Sequence, residues 1–179
     1  MNYDIDLSLI LAVSENNVIG LNEVLEDGRE KFSLPWPRIP SDMKHFENKT
    51  RGYTVISGPK TYMSLPKIVR PLPDRKTIVL TRKGLPEKYQ NDDILIANSI
   101  DEALEMARDE KIYGIGGSSI YENLFPLANT VELTRIHENF EGNVYFPKID
   151  LTNWKEVDVD RKKDEKTGYE LSFITYTRN

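Results

Sequence analysis

Cysteine is missing from the sequence altogether, which excludes disulfide bonds and thiolate metal centres. The only histidines are His45 and His137, too few for a histidine-rich metal site, although carboxylate ligands are present. No apolar run approaches the roughly 18 residues that a membrane-spanning helix needs. The N-terminal stretch also lacks the basic and apolar segments of a secretory signal peptide. We therefore expect no metal, no membrane and a reducing, cytoplasmic location.

The sequence also has no excess of positive charge. The 179 residues include 24 Lys and Arg against 29 Asp and Glu, which gives a formal net charge of −5. Proteins that bind nucleic acid need clustered positive charge, so this balance argues against a nucleic acid as the main partner. Local basic patches for a small anion stay possible. With 39% hydrophobic residues, the chain is long enough to form one domain with a sizeable core.

Two kinds of strand pattern are present. Short apolar segments rich in β-branched residues are typical of parallel strands buried on both faces. They cover residues 7–13, 53–57, 77–81, 93–97 and 111–115. Later segments alternate apolar and polar residues, which indicates antiparallel or edge strands. These cover residues 130–136, 154–160 and 169–177, and the turn at 164–168 is expected to join the last two as a hairpin.

Helical segments lie between the strands, at residues 40–50, 60–65, 99–110 and 118–125. Ser41 is expected to cap the first of them, and Ser99 with Glu102 forms the pattern of a capping box. Strands that alternate with helices predict an α/β fold. We expect a mainly parallel, eight-stranded central sheet with an antiparallel C-terminal hairpin at its edge and about four flanking helices.

Two strand-to-helix junctions, at residues 56–62 and 112–119, are candidates for binding phosphate. Helix N-termini offer N–H groups and a partial positive charge, and Lys60, Thr61, Ser118 and Ser119 would add a cation and hydroxyl groups. Neither junction has the spacing of a P-loop, and the second lacks the last glycine of the dinucleotide fingerprint. The adjacent glycines at 116 and 117 therefore fit either a plain turn or a ligand contact.

Asp42 lies in the first turn of the helix predicted at 40–50. One interpretation is that it only interacts favourably with the helix dipole. The other rests on Met43, Phe46 and Thr50, which follow at helical spacing and form a largely apolar face beside the carboxylate. Such a carboxylate, with its pKa raised by desolvation, can accept two hydrogen bonds from a flat heterocycle, over which Trp36 could lie.

Six motifs in this order and spacing resemble the dihydrofolate reductase family along almost the full chain. They are the stretches ILAVSENNVIG (10–20), LPWPRIPSDMKHF (34–46), VISGPKTYMSLP (55–66), RPLPDRKTIVLTR (70–82), IYGIGGSSIYENLFPLA (112–128) and VELTRI with FEGNVYFP (131–147). The resemblance implies a single domain over residues 1–179, with an adenosine-binding subdomain at about 53–110.

The resemblance also implies a substrate site for dihydrofolate. Asp42 would bind the 2-amino group and N3 of the pterin, Trp36 of the mobile lid would hold a nearby water, and Thr134 would hydrogen-bond the carboxylate. Further residues implied to contact the substrate are Ile10, Leu11 and Ala12 at the pterin, Met43, Phe46, Ile68 and Leu72 along the pterin and benzoyl rings, and Arg75 at the glutamate α-carboxylate. The same site would bind antifolates such as methotrexate.

The implied cofactor is NADPH. Its phosphates would contact a first turn, with Gly58, Lys60 and Thr61, and a second turn, with Gly116, Gly117, Ser118 and Ser119. Thr81 and Arg82 would contact the 2′-phosphate, and Ile115 and Tyr121 would lie beside the nicotinamide and pyrophosphate. The residues at the nicotinamide would be Ala12, Ile19 and Gly20. In this family a cis peptide joins the two adjacent glycines. The implied reaction passes hydride from nicotinamide C4 to pterin C6, with a proton reaching N5 through water, and it serves one-carbon metabolism. We expect a monomer, because the predicted helices leave no unexplained apolar face.

Two alternatives stay open at this point: another reductase of the same fold, such as the pyrimidine reductase of riboflavin synthesis, and a nucleotide-binding relative without activity. Two features also depart from the family pattern. Pro59 replaces the expected cation after Gly58, which predicts weaker discrimination between NADPH and NADH. The segment 21–34 is longer than expected for the lid; it is either a solvated surface excursion, such as a small hairpin, or a lid with altered motion.

Overall fold

The computed structural model describes residues 5–90, 92–108 and 110–179. Its strands are β1 Leu7–Ser14, β2 Val18–Val24, β3 Glu30–Ser33, β4 Thr54–Ser57, β5 Lys76–Leu80, β6 Leu95–Ala97, β7 Ile112–Gly114, β8 Thr130–Ile136, β9 Val144–Tyr145, β10 Trp154–Lys163 and β11 Glu170–Arg178. Its α-helices are α1 Pro40–Thr50, α2 Pro59–Ser64, α3 Ile100–Met106 and α4 Ser118–Leu124. Short 3₁₀ helices cover Lys67–Val69 and Glu87–Tyr89.

Eight of the strands form one sheet in the order β10-β11-β8-β1-β7-β4-β5-β6. The pairs β1–β7, β7–β4, β4–β5 and β5–β6 are parallel, as the apolar runs predicted. The pairs β10–β11 and β11–β8 are antiparallel, as the alternating segments predicted. The expected α/β fold is thus confirmed, including the C-terminal hairpin and the four helices.

The lid segment contains the hairpin that its Asp-Gly pair favours. Strands β2 and β3 pair antiparallel, with Leu21 opposite Ser33 and Val24 opposite Glu30. Gly28 has a φ of +79° at the turn, a conformation that glycine adopts without steric cost. The other side of β2 pairs with β9, so that the order of this small sheet is β3-β2-β9. The hairpin was foreseen, whereas the pairing with β9 was not.

Helix α1 has the predicted bounds but not the predicted cap, and helix α3 has the predicted cap but a shorter span. Helix α1 begins at Pro40, so the prediction that Ser41 caps it is wrong: Ser41 lies inside the first turn. Helix α3 has the expected cap, because the Ser99 hydroxyl accepts a hydrogen bond from the Glu102 N–H at 3.1 Å. It ends at Met106, four residues earlier than predicted, and residue 109 of that predicted span lies outside the described residues.

The chain divides into two compact units. Among the described residues, unit 1 contains those in 5–9 and 50–128, and unit 2 contains those in 10–49 and 129–179. Strand β1 is divided between them after Leu9. Across the described ranges, no helix has the length and apolar character needed to cross a membrane. Nor do the described residues include a cluster of three metal-ligating side chains.

Candidate active site

Asp42 lies in the first turn of α1, in unit 2, and is partly exposed. The hydroxyl of Thr134, in the middle of β8, donates a hydrogen bond to its carboxylate. Desolvation raises the pKa of Asp42 to about 6, and the hydrogen bond from Thr134 opposes that rise. The structure therefore joins two of the predicted catalytic residues in one contact, and the carboxyl group changes its charge close to neutral pH.

The same face of α1 makes two more contacts with the antiparallel strands of unit 2. His45 stacks on Phe173 of β11, with ring centroids 4.3 Å apart. Lys49 forms an ion pair of 3.0 Å with the buried Glu132 of β8, whose other carboxylate oxygen accepts a hydrogen bond of 2.8 Å from Thr175. Positions 42, 45 and 49 are spaced by three and four residues, so these contacts lie along one side of the helix.

Burial lowers the pKa of His45, and the Lys49 cation lowers it further, while Glu132 and Asp160 act in the opposite direction. The His45 ring is therefore biased toward its neutral form. Sequence reasoning missed this polar face. Glu132 precedes Thr134 by two residues, and a period of two on a strand would have placed both side chains on one side of β8.

The predicted apolar partners of the pterin also belong to unit 2. Ile10 and Leu11 are buried in β1, and Ala12 packs against a core cluster that includes Trp36. Trp36 is 6% exposed, and its ring makes an edge contact with Phe140 at 5.7 Å. Along α1, Phe46 is half-buried and Met43 is exposed. Trp36 is thus held by packing in the protein core.

The two predicted phosphate turns both belong to unit 1 and contact each other there. Gly58 and Gly117 are the N-cap residues of α2 and α4. The N–H of Gly58 donates to the carbonyl of Gly116 at 2.7 Å, and the peptide between Gly116 and Gly117 is cis, as expected. Pro59 occupies the first position of α2, where a proline is tolerated.

Added side chains would meet different surroundings at the two adjacent glycines. Gly116 has a φ of +105°, and a Cβ there would lie 2.9 Å from the hydroxyl of the buried Tyr121. A Cβ on Gly117 would make only an ordinary contact of 3.5 Å with the Thr61 hydroxyl oxygen. Ser118 and Ser119, the other residues predicted for the second turn, begin α4. Ile115 lies before this turn, and its N–H donates to the carbonyl of Ile56.

The residues predicted for the 2′-phosphate lie in an exposed turn of unit 1 after β5. Thr81 is buried, and its hydroxyl donates to the carbonyl of Gly84 at 3.2 Å and accepts from the N–H of Lys83 at 3.3 Å. Arg82 and Lys83 are exposed on this turn. Lys83 adds a second cation that sequence reasoning overlooked, although it follows Arg82 directly.

Arg75, predicted for the glutamate tail, is oriented by two contacts in unit 1. Its Nε donates to the carbonyl of Pro73 at 2.8 Å, and a terminal guanidinium nitrogen donates to the Thr50 hydroxyl at 3.1 Å. Leu72, three residues before Arg75 in the sequence, is buried. Ile68 is 91% exposed. Fixing the guanidinium in this way favours bidentate recognition of a carboxylate.

Ile19 and Gly20, predicted at the nicotinamide, belong to β2 of unit 2 and are buried. A Cβ on Gly20 would lie 2.8 Å from the ring of Phe32 in β3 and 3.3 Å from Val144. Glycine is therefore needed at this position for Phe32 of β3 and Val144 of β9 to pack against β2.

Comparisons with known proteins identify the family of this chain. The family model described as "Dihydrofolate reductase" matches residues 6–178. The chain belongs to the dihydrofolate reductase family. It is 36% identical over 174 residues to a dihydrofolate reductase of Staphylococcus haemolyticus, which covers 96% of this chain and 95% of that relative. It is 34% identical over 176 residues to dihydrofolate reductase HdrB of Haloferax volcanii, covering 95% of this chain and 82% of the relative.

A solved dihydrofolate reductase of Enterococcus faecalis, in complex with NADP(H) and RAB-propyl, has the same fold as this family member. The TM-score is 0.82 at 35% identity, and the match covers 100% of this chain and 99% of the other. Family membership decides between the alternatives that the sequence left open, in favour of dihydrofolate reductase over the pyrimidine reductase and the inactive relative.

Proposed function

We propose that Asp42 orients the pterin ring in the NADPH-dependent reduction of 7,8-dihydrofolate to tetrahydrofolate that this enzyme catalyses. The observation that supports this role is the partly exposed carboxyl group, held by Thr134, whose pKa desolvation raises to about 6. A carboxylate in this setting can accept two N–H groups from the amidine-like edge of a pterin. Its negative charge also favours a protonated ring, since charges interact more strongly away from water.

The proton for N5 would come through water, with Asp42 supplying electrostatic support. A group whose pKa lies near 6 shifts between its two charge states close to working pH, which is the range useful for assisting proton transfer. We further propose that Trp36 of the lid holds a water that hydrogen-bonds the pterin. The residues proposed to contact the pterin and benzoyl rings are Ile10, Leu11, Ala12, Phe46 and Met43. Ile68, Leu72 and Arg75 would contact the benzoyl-glutamate part.

NADPH supplies the hydride. The chain would hold its phosphates with the N-termini of α2 and α4, where glycine at both N-caps leaves room for a phosphate to approach the main chain. Lys60, Thr61, Ser118 and Ser119 begin these helices and would add side-chain contacts. Arg82, with Lys83 beside it and the turn fixed by Thr81, would bind the 2′-phosphate in place of the cation that Pro59 replaces. Ile115, Tyr121, Ala12, Ile19 and Gly20 are proposed at the nicotinamide end.

At the level of the whole protein, we propose one functional domain with an adenosine-binding subdomain at about residues 53–110, acting as a cytoplasmic monomer. The family binds dihydrofolate and antifolates. Tight binding of methotrexate by this chain would support the substrate site directly, and sedimentation of the purified enzyme would test the oligomeric state.

The decisive experiment replaces Asp42 by asparagine and measures NADPH oxidation with dihydrofolate. We expect turnover to fall by about 10²- to 10⁴-fold, the range typical of losing a group that assists proton transfer. Asp101→Asn is the matched control, because Asp101 is an exposed acid in the first turn of α3. Its activity should equal that of the parent. Fluorescence titration should show unchanged NADPH binding in both variants, and retention of parental turnover by Asp42→Asn would contradict the proposal.

A further inference from the structure

One buried carboxylate in unit 2 takes no part in the site described above. Asp164 lies in the turn between β10 and β11 and is 1% exposed. Its Oδ1 accepts hydrogen bonds of 2.8 Å from both the N–H and the hydroxyl of Thr167. Its own N–H donates to the carbonyl of Tyr169 at 2.9 Å, and its carbonyl accepts from Gly168 at 2.8 Å. These bonds fix the carboxylate rigidly within the turn.

The second carboxylate oxygen of Asp164 leaves the turn and contacts helix α1. Oδ2 accepts a hydrogen bond of 2.9 Å from the N–H of Ser41, which is 123 residues away in the sequence. The first N–H groups of a helix have no partner within the helix, and a carboxylate there also interacts favourably with the helix dipole. Asp164 thus performs the capping role that the sequence assigned to Ser41.

The charge of Asp164 persists at every working pH. Burial by itself would raise the pKa of this carboxyl, but the hydrogen bonds from Ser41 and Thr167 outweigh burial and hold the pKa well below its usual range. The contact with α1 is therefore made by an ionised group, and charge-assisted hydrogen bonds are stronger than neutral ones.

Ser41 directly precedes Asp42, so the Asp164 contact fixes the turn of helix that carries the proposed catalytic carboxyl. The same antiparallel strands supply the partner of that carboxyl: β11 follows the Asp164 turn and pairs with β8, where Phe173 lies opposite Thr134. Asp164 and Thr134 therefore hold adjacent residues of α1 from one continuous piece of sheet. A shift of the helix end would change the geometry between Asp42 and Thr134.

We propose that Asp164 is a positioning residue for dihydrofolate reduction, which sets the contact between Asp42 and Thr134 by holding the first turn of α1. The inference rests on the role proposed for Asp42. It needs no contact between Asp164 and either ligand. If Asp164 has this role, a change in the β10–β11 turn alters the pKa of the Asp42 carboxyl group in α1.

The test replaces Asp164 by asparagine, which is almost the same size. The amide oxygen can still accept from Thr167, but the amide NH₂ then faces the Ser41 N–H, and two donors repel. We expect the Thr134 bond to weaken, which raises the pKa of Asp42 by about 0.5 to 1 because that bond lowers it. We expect hydride transfer to slow about tenfold, with a smaller change in the KM for dihydrofolate.

Thr167→Val is the matched control. It removes a hydrogen bond from the other oxygen of Asp164 and leaves the Ser41 contact in place. The Asp42 pKa, read by carbon NMR of its carboxyl group in the ligand-free enzyme, should stay at the parental value in this variant. An equal pKa shift in both variants, or none in Asp164→Asn, would overturn the proposal.

Ser41→Pro offers a second route if Asp164→Asn does not fold. It removes both donors that Ser41 offers to Asp164, the N–H and the hydroxyl, and proline is tolerated in the first turn of a helix. It should reproduce the raised Asp42 pKa, and a parental value would again overturn the proposal. The NMR readout needs no turnover. If Asp42→Asn were fully active, the catalytic role of Asp42 would fail while the pKa measurement still decided the role of Asp164.

Discussion

Unit 1 and unit 2 build their proposed binding sites from different parts of the chain. In unit 1, the phosphate turns consist of main chain at two helix N-caps, Gly58 and Gly117. In unit 2, the proposed pterin site depends on side chains, above all Asp42 and its partner Thr134. The contrast teaches that adding atoms damages a site made of backbone, whereas removing the charge alters a site that depends on a partly desolvated carboxylate.

The largest effect is expected at the two adjacent glycines of unit 1, where alanine should act differently at Gly116 and Gly117. Gly116→Ala should lower the free energy of unfolding by about 1–3 kcal/mol, since φ is +105° and the new methyl group meets Tyr121. Gly117→Ala should leave stability within about 0.5 kcal/mol of the parent. It should still weaken NADPH binding at least about tenfold by filling the space at the N-cap of α4. Denaturant unfolding measures the stability of both variants, and NADPH titration measures their affinity for the cofactor. Parental affinity for NADPH in Gly117→Ala would contradict a role of this turn in binding phosphate.

In unit 2, removing a charge should stabilise the protein. The pKa of Asp42 is raised from 3.8 to about 6 in the fold, so the folded state holds a proton that the unfolded chain releases between these values. The free energy of unfolding therefore falls as pH rises through this window. Asp42→Asn should be more stable than the parent by up to about 3 kcal/mol at pH 8, with no gain below about pH 4.

Urea unfolding of Asp42→Asn and its parent across this pH range measures the difference. Asp101→Asn again serves as the control, because Asp101 is exposed in the first turn of α3. A stability difference for Asp42→Asn that does not change between pH 4 and pH 8 would show that desolvation does not raise this pKa.

A smaller effect concerns the exposed cations of unit 1. Arg82→Ala should weaken NADPH binding about tenfold, because a charge-assisted contact to the 2′-phosphate is lost. NADH lacks that phosphate, so its affinity should not change. Pro59→Arg should restore a cation at the first phosphate turn and raise the preference for NADPH. Equal losses for both cofactors in Arg82→Ala would exclude the 2′-phosphate role.

The smallest effect is expected in the lid hairpin of unit 2. Residues 23–31 are exposed, and Glu23 lies opposite Lys31 across the hairpin. Replacing residues 24–30 by Asn-Gly would close the strands with a two-residue turn. We expect stability within about 0.5 kcal/mol of the parent and turnover within about twofold, as for a solvated surface excursion. A larger change in turnover, measured in single-turnover and steady-state assays, would support a lid with altered motion.

Sequence alone could predict what depends on local pattern. The parallel strands follow from apolar runs, the lid hairpin from Asp27-Gly28, and the cap of α3 from Ser99 and Glu102. The chemistry at Asp42 was also predictable in direction, because an acid beside an apolar helix face loses water and its pKa rises.

Contacts between distant parts of the sequence could not be predicted. The cap of α1 comes from Asp164, across 123 residues, and the Lys49–Glu132 ion pair spans 83. Serine favours the cap position, which points to Ser41, but the helix already includes Pro40 and Ser41 lies within its first turn. The exposure of Ile68 and the core packing of Trp36 likewise depend on tertiary structure, which no local pattern encodes.

The order of the two units along the chain has a consequence for synthesis on the ribosome. Unit 1 is complete in sequence once Ala128 has been added, whereas unit 2 needs residues up to Asn179. Helix α1 is made early, yet Thr134, Glu132 and Asp164 are all translated after unit 1 is finished. During elongation the proposed phosphate turns of unit 1 can therefore assemble before the contacts that surround Asp42 in unit 2.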